Sequence, residues 1–228
     1  MTMDYFERPP VTQVDGVLDF LERHDDYVDN YDQIARDDIV KRIMPDEVKD
    51  VLLNCCELVK RPGGTLVDIG AAYGFIVSRL EAERKIAVDI ALDYLRLIDP
   101  SICRVRADGE NLPFVADLAD CVVCTDVFEH VQDEMALARG LTRLLKPGGQ
   151  LLLATPWRQD LSVYETDEYK SKYAKYKYVH LRSVDEQMIA RSFPNFEMVS
   201  ATVIGIGMKH MTLKPYPIRF MNMRKRGV

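Results

Sequence analysis

Apolar residues recur at three- and four-residue spacing through 15–36 (DGVLDFLERHDDYVDNYDQIAR) and 46–60 (DEVKDVLLNCCELVK), the period of a helix with one buried face. The spacing predicts two amphipathic helices, with Pro45 in the first turn of the second. After Arg61-Pro62-Gly63-Gly64 the period changes: the short apolar runs TLVDIG, KIAVDI, ICRVRAD, ADCVVCTDVF and GQLLLATP alternate with the helical stretches FIVSRLEAE, ALDYLRLI and VQDEMALARGLTRLL. Strands alternating with helices form crossover units, so an α/β fold around a parallel sheet is expected. Lys146-Pro147-Gly148-Gly149 breaks the last long helix from a strand at 150–155, and a polar loop rich in Tyr and Lys follows at 156–182. Ser183 to Glu186 reads as a capping box opening a helix to about Arg191, and EMVSATVIGIGMKHMTLK as two more strands around a glycine turn.

The chain has 228 residues, 47% of them hydrophobic, enough for one substantial core and one catalytic-size domain. No apolar run reaches the roughly 18 to 20 residues a spanning helix needs, and MTMDYFERPP lacks the basic and apolar regions of a signal peptide. Five scattered cysteines make no disulfide framework, so a reducing cytoplasm is the expected address. Cys121 and Cys124 have CxxC spacing but sit in an apolar strand without a second Cys or His cluster, so no metal is expected there. The net charge of -6 conceals an asymmetry: residues 1–50 hold 14 Asp and Glu against 6 Lys and Arg, whereas residues 169–228 hold 3 against 12. The basic tail hints at an anionic partner, while the acidic total argues against a dedicated nucleic-acid binder.

Candidate chemistry begins at Val67-Asp68-Ile69-Gly70-Ala71-Ala72-Tyr73-Gly74-Phe75, a strand entering a small-residue turn and then a helical stretch. Such turns let backbone approach a ligand at the carboxyl end of a parallel strand. About twenty residues downstream the next strand ends in Asp89, whose carboxylate can accept from both ribose hydroxyls of an adenosine. Gly70 and Gly74 stand four apart with Ala72 between them and nothing basic beside them, which does not meet the pyrophosphate fingerprint. An adenosine ligand without a pyrophosphate fits better.

These motifs, together with Ala107-Asp108-Gly109-Glu110-Asn111-Leu112-Pro113-Phe114, Thr125-Asp126-Val127-Phe128-Glu129-His130-Val131 and Leu144 to Gly149 before LLLATP, resemble the successive motifs of class I S-adenosylmethionine-dependent methyltransferases. The resemblance covers about 45–156 and is greatest to small-molecule enzymes of ubiquinone biosynthesis and of glycan or natural-product tailoring. It implies a Rossmann-like, seven-stranded, mostly parallel sheet with helices on both faces and a final antiparallel strand. Residues 1–45 would form an N-terminal helical lid and 46–228 the methyltransferase domain, with an acceptor loop at 156–182. Asp68, Gly70, Ala71 and Gly74 would lie under the methionyl part of the cofactor. Asp89 would hold the ribose, Ile90 would pack on adenine, and Asp108 with Gly109 would meet the adenine amino group. Asp126 would face the methionyl portion and the acceptor, and Tyr27 or Tyr31, four apart on one helix face, would reach the methionyl carboxylate.

Methyl transfer from a sulfonium needs in-line positioning, exclusion of water and, for a hydroxyl or protonated amine, removal of one proton. The candidate bases are His130, paired in sequence with Glu129, and His180 with Tyr178 in the acceptor loop. Lys170, Lys172, Lys175 and Lys177 interleave with Tyr169, Tyr173, Tyr176 and Tyr178, a stretch that suits a phosphorylated or sugar-containing acceptor as well as a solvated helix. The expectation is an enzyme, monomer or homodimer, that methylates O, N or C of a small molecule and releases S-adenosylhomocysteine. RNA or protein methylation, or a non-catalytic cofactor-binding scaffold, are the alternatives.

Overall fold

The computed structural model describes residues 3–38, 46–61, 63–177, 179–205 and 217–227. Its strands are β1 (Thr12–Val14), β2 (Val17–Asp19), β3 (Thr65–Ile69), β4 (Arg84–Asp89), β5 (Cys103–Arg106), β6 (Ala119–Thr125), β7 (Leu145–Pro156), β8 (Phe196–Gly205) and β9 (Pro217–Lys225). The helices are α1 (Asp26–Arg36), α2 (Asp46–Val59), α3 (Leu92–Leu95), α4 (Glu134–Leu144), α5 (Asp167–Tyr173) and α6 (Glu186–Ser192). The strands form one sheet in the order β1-β2-β5-β4-β3-β6-β7-β9-β8. Strands β2 to β7 pair in parallel, while β9 runs antiparallel to both β7 and β8. Alternate residues feed two apolar layers, as a sheet covered on both faces requires. Val67, Val122, Leu151 and Leu153 join the layer of Leu137 and Leu141 of α4, and Leu66, Val123, Leu152 and Ala154 join that of Leu52 of α2.

The sheet has nine strands rather than seven, because residues 12–19, expected to begin a helix from Asp15, form a hairpin. Asp15 (φ 52°) and Gly16 (φ 76°) are both left-handed, the turn that an Asp-Gly pair between apolar runs favours. Val17 to Leu21 are all buried, so the run fills a strand in the sheet instead of one helix stripe. Helix α1 starts only at Asp26, where Asp25 caps it by accepting from the N–H groups of Tyr27 and Val28.

The helix expected at FIVSRLEAE is replaced by successive turns through 72–79. The N–H groups of Ser78 and Leu80 donate to the carbonyls of Gly74 and Ile76. That of Val77 donates to the Asp68 carboxylate at 3.2 Å, which interrupts the helical ladder. Strand β7 begins at Leu145, absorbing the expected Lys-Pro-Gly-Gly break as an irregularity between the pairs Ala119↔Leu145 and Cys121↔Gln150. The cap of α6 is Asp185, accepting from the N–H of Met188, in place of Ser183. In the tail, β8 fulfils one expected strand; the glycine turn and second strand fall within 206–216, outside the described residues, and β9 was not anticipated.

Candidate functional site

Strands β4 and β6 flank β3 and run parallel to it, with β3 at the point where the strand order reverses, and the crevice outside such carboxyl ends is where an open α/β sheet keeps its ligand. Gly70 follows β3 with φ 73°, and a Cβ placed on it would stand 2.1 Å from Cγ2 of Val127 in the turn after β6. Its lack of a side chain therefore lets two strand-end turns interlock, a structural reason beside the expected one of ligand approach. Ala72, where the resembling motif carries glycine, is also left-handed (φ 46°). Asp89 pins this turn: its Oδ2 accepts from the N–H of Ala72 at 2.8 Å and its Oδ1 from that of Ala91 at 2.9 Å. A carboxylate offers about four lone-pair sites, so capacity for a ligand's hydroxyls remains.

Asp68 is 2% exposed and faces Val77 beneath the turn. Burial, with the Asp89 charge adding, pushes its carboxyl up to about 8. An acid whose folded value lies above its unfolded value binds more protons folded than unfolded, so stability is lost as pH rises between the two values. Buried His130 is shifted the other way, and its contribution is complete above its ordinary value of 6.5. The melting temperature is accordingly expected to fall between pH 6.5 and 8.5, with the raised carboxyls of Asp126 and Glu129 contributing, and Asp68→Asn to lessen that slope. A variant whose slope matches the parent's would show that Asp68 is ionised throughout.

Asp108 is buried and accepts from the Glu110 N–H at 2.9 Å. Its other oxygen receives Nη1 of Arg23 at 3.1 Å, a residue the sequence did not single out, whose guanidinium also lies 4.9 Å from the Tyr27 ring centroid. Gly109 packs near Leu137, and the carbonyl of Ile90 accepts from Nε of Arg106. Arg106 in turn pairs with Asp19 of β2 and Asp32 of α1, which fastens the N-terminal segment to the strand ends.

Asp126 ends β6 in the left-handed region (φ 53°), an unfavourable backbone for a residue with a side chain and one concentrated at functional sites. Its Oδ2 is buried without a hydrogen-bond partner, and burial pushes the carboxyl up to about 7. Glu129 is fully buried; its Oε2 accepts from Oγ1 of Thr155 at 3.0 Å while its Oε1 has no partner. Desolvation, with the Asp126 charge adding, raises its carboxyl well above the usual range.

Desolvation holds His130 down to about 4, so its ring is neutral at ordinary pH. Nδ1 of the ring is buried without a hydrogen-bond partner. Nε2 stands 4.0 Å from Oε1 of Glu129. His180 packs edge-on to His130 at 4.7 Å, and its Nδ1 meets Oε1 of Gln159, whose amide donates to the Tyr164 hydroxyl at 2.9 Å. Rings continue in both directions, Tyr31 at 6.1 Å from His130 with Tyr27 5.0 Å beyond it, and Tyr164 at 5.5 Å from His180. The Tyr27 hydroxyl donates to the carbonyl of His130 at 3.4 Å.

The structure thus gathers His130, His180, Asp126, Tyr27 and Tyr31, while Tyr178 lies outside the described residues. Gln159 and Tyr164 were missed, although both fall in the loop whose composition marked it. One ligand atom from each of Glu129, His130 and His180 lies within 4.8 Å of the others. Cys121 and Cys124 are buried free thiols, Cys121 pushed up to about 12 by burial.

The lysines of the basic stretch are exposed, and each has a carboxylate partner. Lys170 and Lys172 pair with Glu165 and Glu168, and Lys175 and Lys177 with Asp37 and Asp26 of the acidic N-terminal segment, both at 2.7 Å. The Tyr176 hydroxyl donates to Asp37 as well, and the backbone N–H of Lys177 to Asn30. The two oppositely charged ends of the sequence lie against each other above the crevice. No helix among the described residues is long and apolar enough to cross a membrane.

Residues 67–153 match a family model described as a methyltransferase domain. A ubiquinone biosynthesis O-methyltransferase of Xanthomonas campestris is 33% identical over 109 residues, covering 42% of this chain and 45% of that protein, so the match spans less than half of either. A solved S-adenosylmethionine-dependent methyltransferase of Anabaena variabilis superposes with TM-score 0.65 at 16% identity, over 89% of this chain and 96% of that one. A Haemonchus contortus phosphoethanolamine N-methyltransferase, solved with phosphomonomethylethanolamine and S-adenosylhomocysteine, gives 0.65 at 14% identity over 89% of this chain and 61% of that one. The motif order and the strand order agree with these likenesses: the chain has the Rossmann-like α/β fold of the solved methyltransferases, and its residues 67–153 are similar in sequence to the methyltransferase domain family.

Proposed function

We propose that this protein transfers a methyl group from S-adenosylmethionine to O, N or C of a small molecule, with His130 as proton acceptor. The carrying observation is the unpartnered Nδ1 of a neutral, buried His130 beside the strand-end Asp126. The crevice suits the cofactor chemically. Asp89 and the backbone of the Gly70 turn offer acceptors to a ligand bearing ribose hydroxyls and an ammonium. When bound, the cofactor supplies an activated methyl: the acceptor's lone pair forms the new bond as the carbon–sulfur bond breaks, its electron pair staying on sulfur. Asp89 would hold the ribose, Asp108 the adenine amino group once Arg23 yields it, and Asp68 the turn itself. His130 Nδ1 would take the acceptor's proton. Helix α1 and the loop at 156–182 would close over the reactants and exclude water.

Each exposed lysine of the loop has a carboxylate beside it, which lowers the positive potential an RNA substrate would need and favours a small acceptor. Calorimetric titration with S-adenosylhomocysteine tests the reading. Binding is expected, and Asp89→Ala should weaken it about ten- to a hundredfold by deleting a charged acceptor and loosening the Ala72 turn. In the same samples the ligand should slow proteolysis within 1–45. No heat of binding in the parent protein would remove the proposal, and equal cleavage with and without ligand would reduce α1 to a packing helix.

A further inference from the structure

Among the described residues, the segment after β6 carries buried acceptors beside a wall of aromatic rings, with the unpartnered Tyr31 hydroxyl among them. Asp126 Oδ2, Glu129 Oε1 and His130 Nδ1 are buried without partners, on side chains four residues apart or fewer along the turn after β6. In this cluster Asp126 Oδ2 and His130 Nδ1 are the orphaned acceptors that a donor from outside the chain would complete. Around it stand the rings of Tyr31, His130, His180 and Tyr164, linked edge-to-face at 4.7 to 6.1 Å. Among the described residues, the loop lysines pair with carboxylates, and Nη1 and Nη2 of Arg182 donate to the carbonyls of Phe128 and Gln132.

A hydroxyl acceptor brings one donor to such a place and a carboxylate or phosphate brings none. A primary or secondary ammonium brings two or three donors and a positive charge that aromatic faces attract. Resting on the methyl-transfer reading above, we infer that the acceptor is an amine, held as its ammonium by Asp126 Oδ2 and His130 Nδ1 within the ring wall of Tyr31, His180 and Tyr164. One ammonium proton passes to His130 Nδ1, and the freed nitrogen lone pair bonds the methyl carbon. The carbon–sulfur electron pair stays on sulfur, and the product leaves as a methylated ammonium with its charge retained. Asp126 sets specificity, since its carboxylate rewards a cation and disfavours an anion in the same place.

Matched pairs of probes separate the classes on protein saturated with S-adenosylhomocysteine: ethanolamine against ethylene glycol, benzylamine against benzyl alcohol, and tyramine against tyrosol. Calorimetry is expected to find at least one amine bound about ten- to a hundredfold more tightly than its alcohol, the difference a charge-assisted bond makes. Asp126→Asn should cancel that preference while changing affinity for S-adenosylhomocysteine less than about threefold, and its melting temperature will show whether it is folded. Tyr164→Leu should weaken the amine without changing the alcohol. A panel in which no amine beats its alcohol overturns the inference and leaves methyl transfer standing. It is overturned equally if Asp126→Asn weakens S-adenosylhomocysteine as much as the amine, since the carboxylate would then serve the cofactor's own ammonium. Displacement of the amine by Mg²⁺ or Zn²⁺, one for one, would make the cluster a metal site instead. Should S-adenosylhomocysteine itself not bind, the methyl-transfer reading fails first.

Discussion

His130→Gln is expected to lower turnover about a hundredfold or more, while affinity for S-adenosylhomocysteine stays within a few-fold. Glutamine preserves much of the side chain's bulk beside His180 and Tyr31, so the ring wall is retained. What it removes is the basic ring nitrogen Nδ1, unpartnered at the strand end on a neutral imidazole. Pre-steady-state measurement of a single turnover separates this loss from slow product release. If the variant methylates at the parent's rate, base catalysis by His130 is excluded and positioning of an already nucleophilic acceptor becomes the account.

Gly70→Ala should destabilise the fold by about 2 to 5 kcal/mol and abolish cofactor binding, because two costs coincide. The backbone has φ 73°, which costs an alanine roughly 1 to 2 kcal/mol, and the new Cβ would overlap Val127 at 2.1 Å, an overpacking worth about 1 to 3 kcal/mol more. Gly148 supplies the control. Its φ is nearly the same, 75°, yet a Cβ there meets nothing within 4 Å, so Gly148→Ala should cost only the backbone share. Denaturant midpoints of the two variants therefore read the clash by difference, and equal midpoints would show that Val127 simply moves aside.

The parallel sheet and the strand-end carboxylates were legible because each leaves a local signature: an apolar run, a small-residue turn, an acid at the run's end. Asp68, Asp89, Asp108 and Asp126 all stand where that pattern puts them. The first strand pair was legible too, in the Asp15-Gly16 dipeptide between TQV and VLD, but helical spacing over 15–36 hid it. That spacing arises from Val17, Leu18, Phe20 and Leu21, which are buried on both faces of a strand, a case periodicity alone does not separate from a helix. The turns at 72–79 needed knowledge that Asp68 takes the N–H of Val77. Arg23 on Asp108, Arg106 between Asp19 and Asp32, and the Tyr164, Gln159 and His180 chain join residues far apart in sequence or within an irregular loop. Nothing in a single sequence marks such partners.

The bonds from Lys175, Tyr176 and Lys177 to Asp37, Asn30 and Asp26 bear on how this scaffold could be re-engineered. Acceptor loops of α/β enzymes invite transplantation, since function is grafted onto a shared frame. Here residues 156–182 are not a portable cassette: a foreign loop would leave Asp26, Asn30 and Asp37 facing new neighbours, and the transplanted lysines would arrive without their acids. Helix α1 and the loop are one unit of exchange, inherited or swapped together, despite being separated by more than a hundred residues of chain.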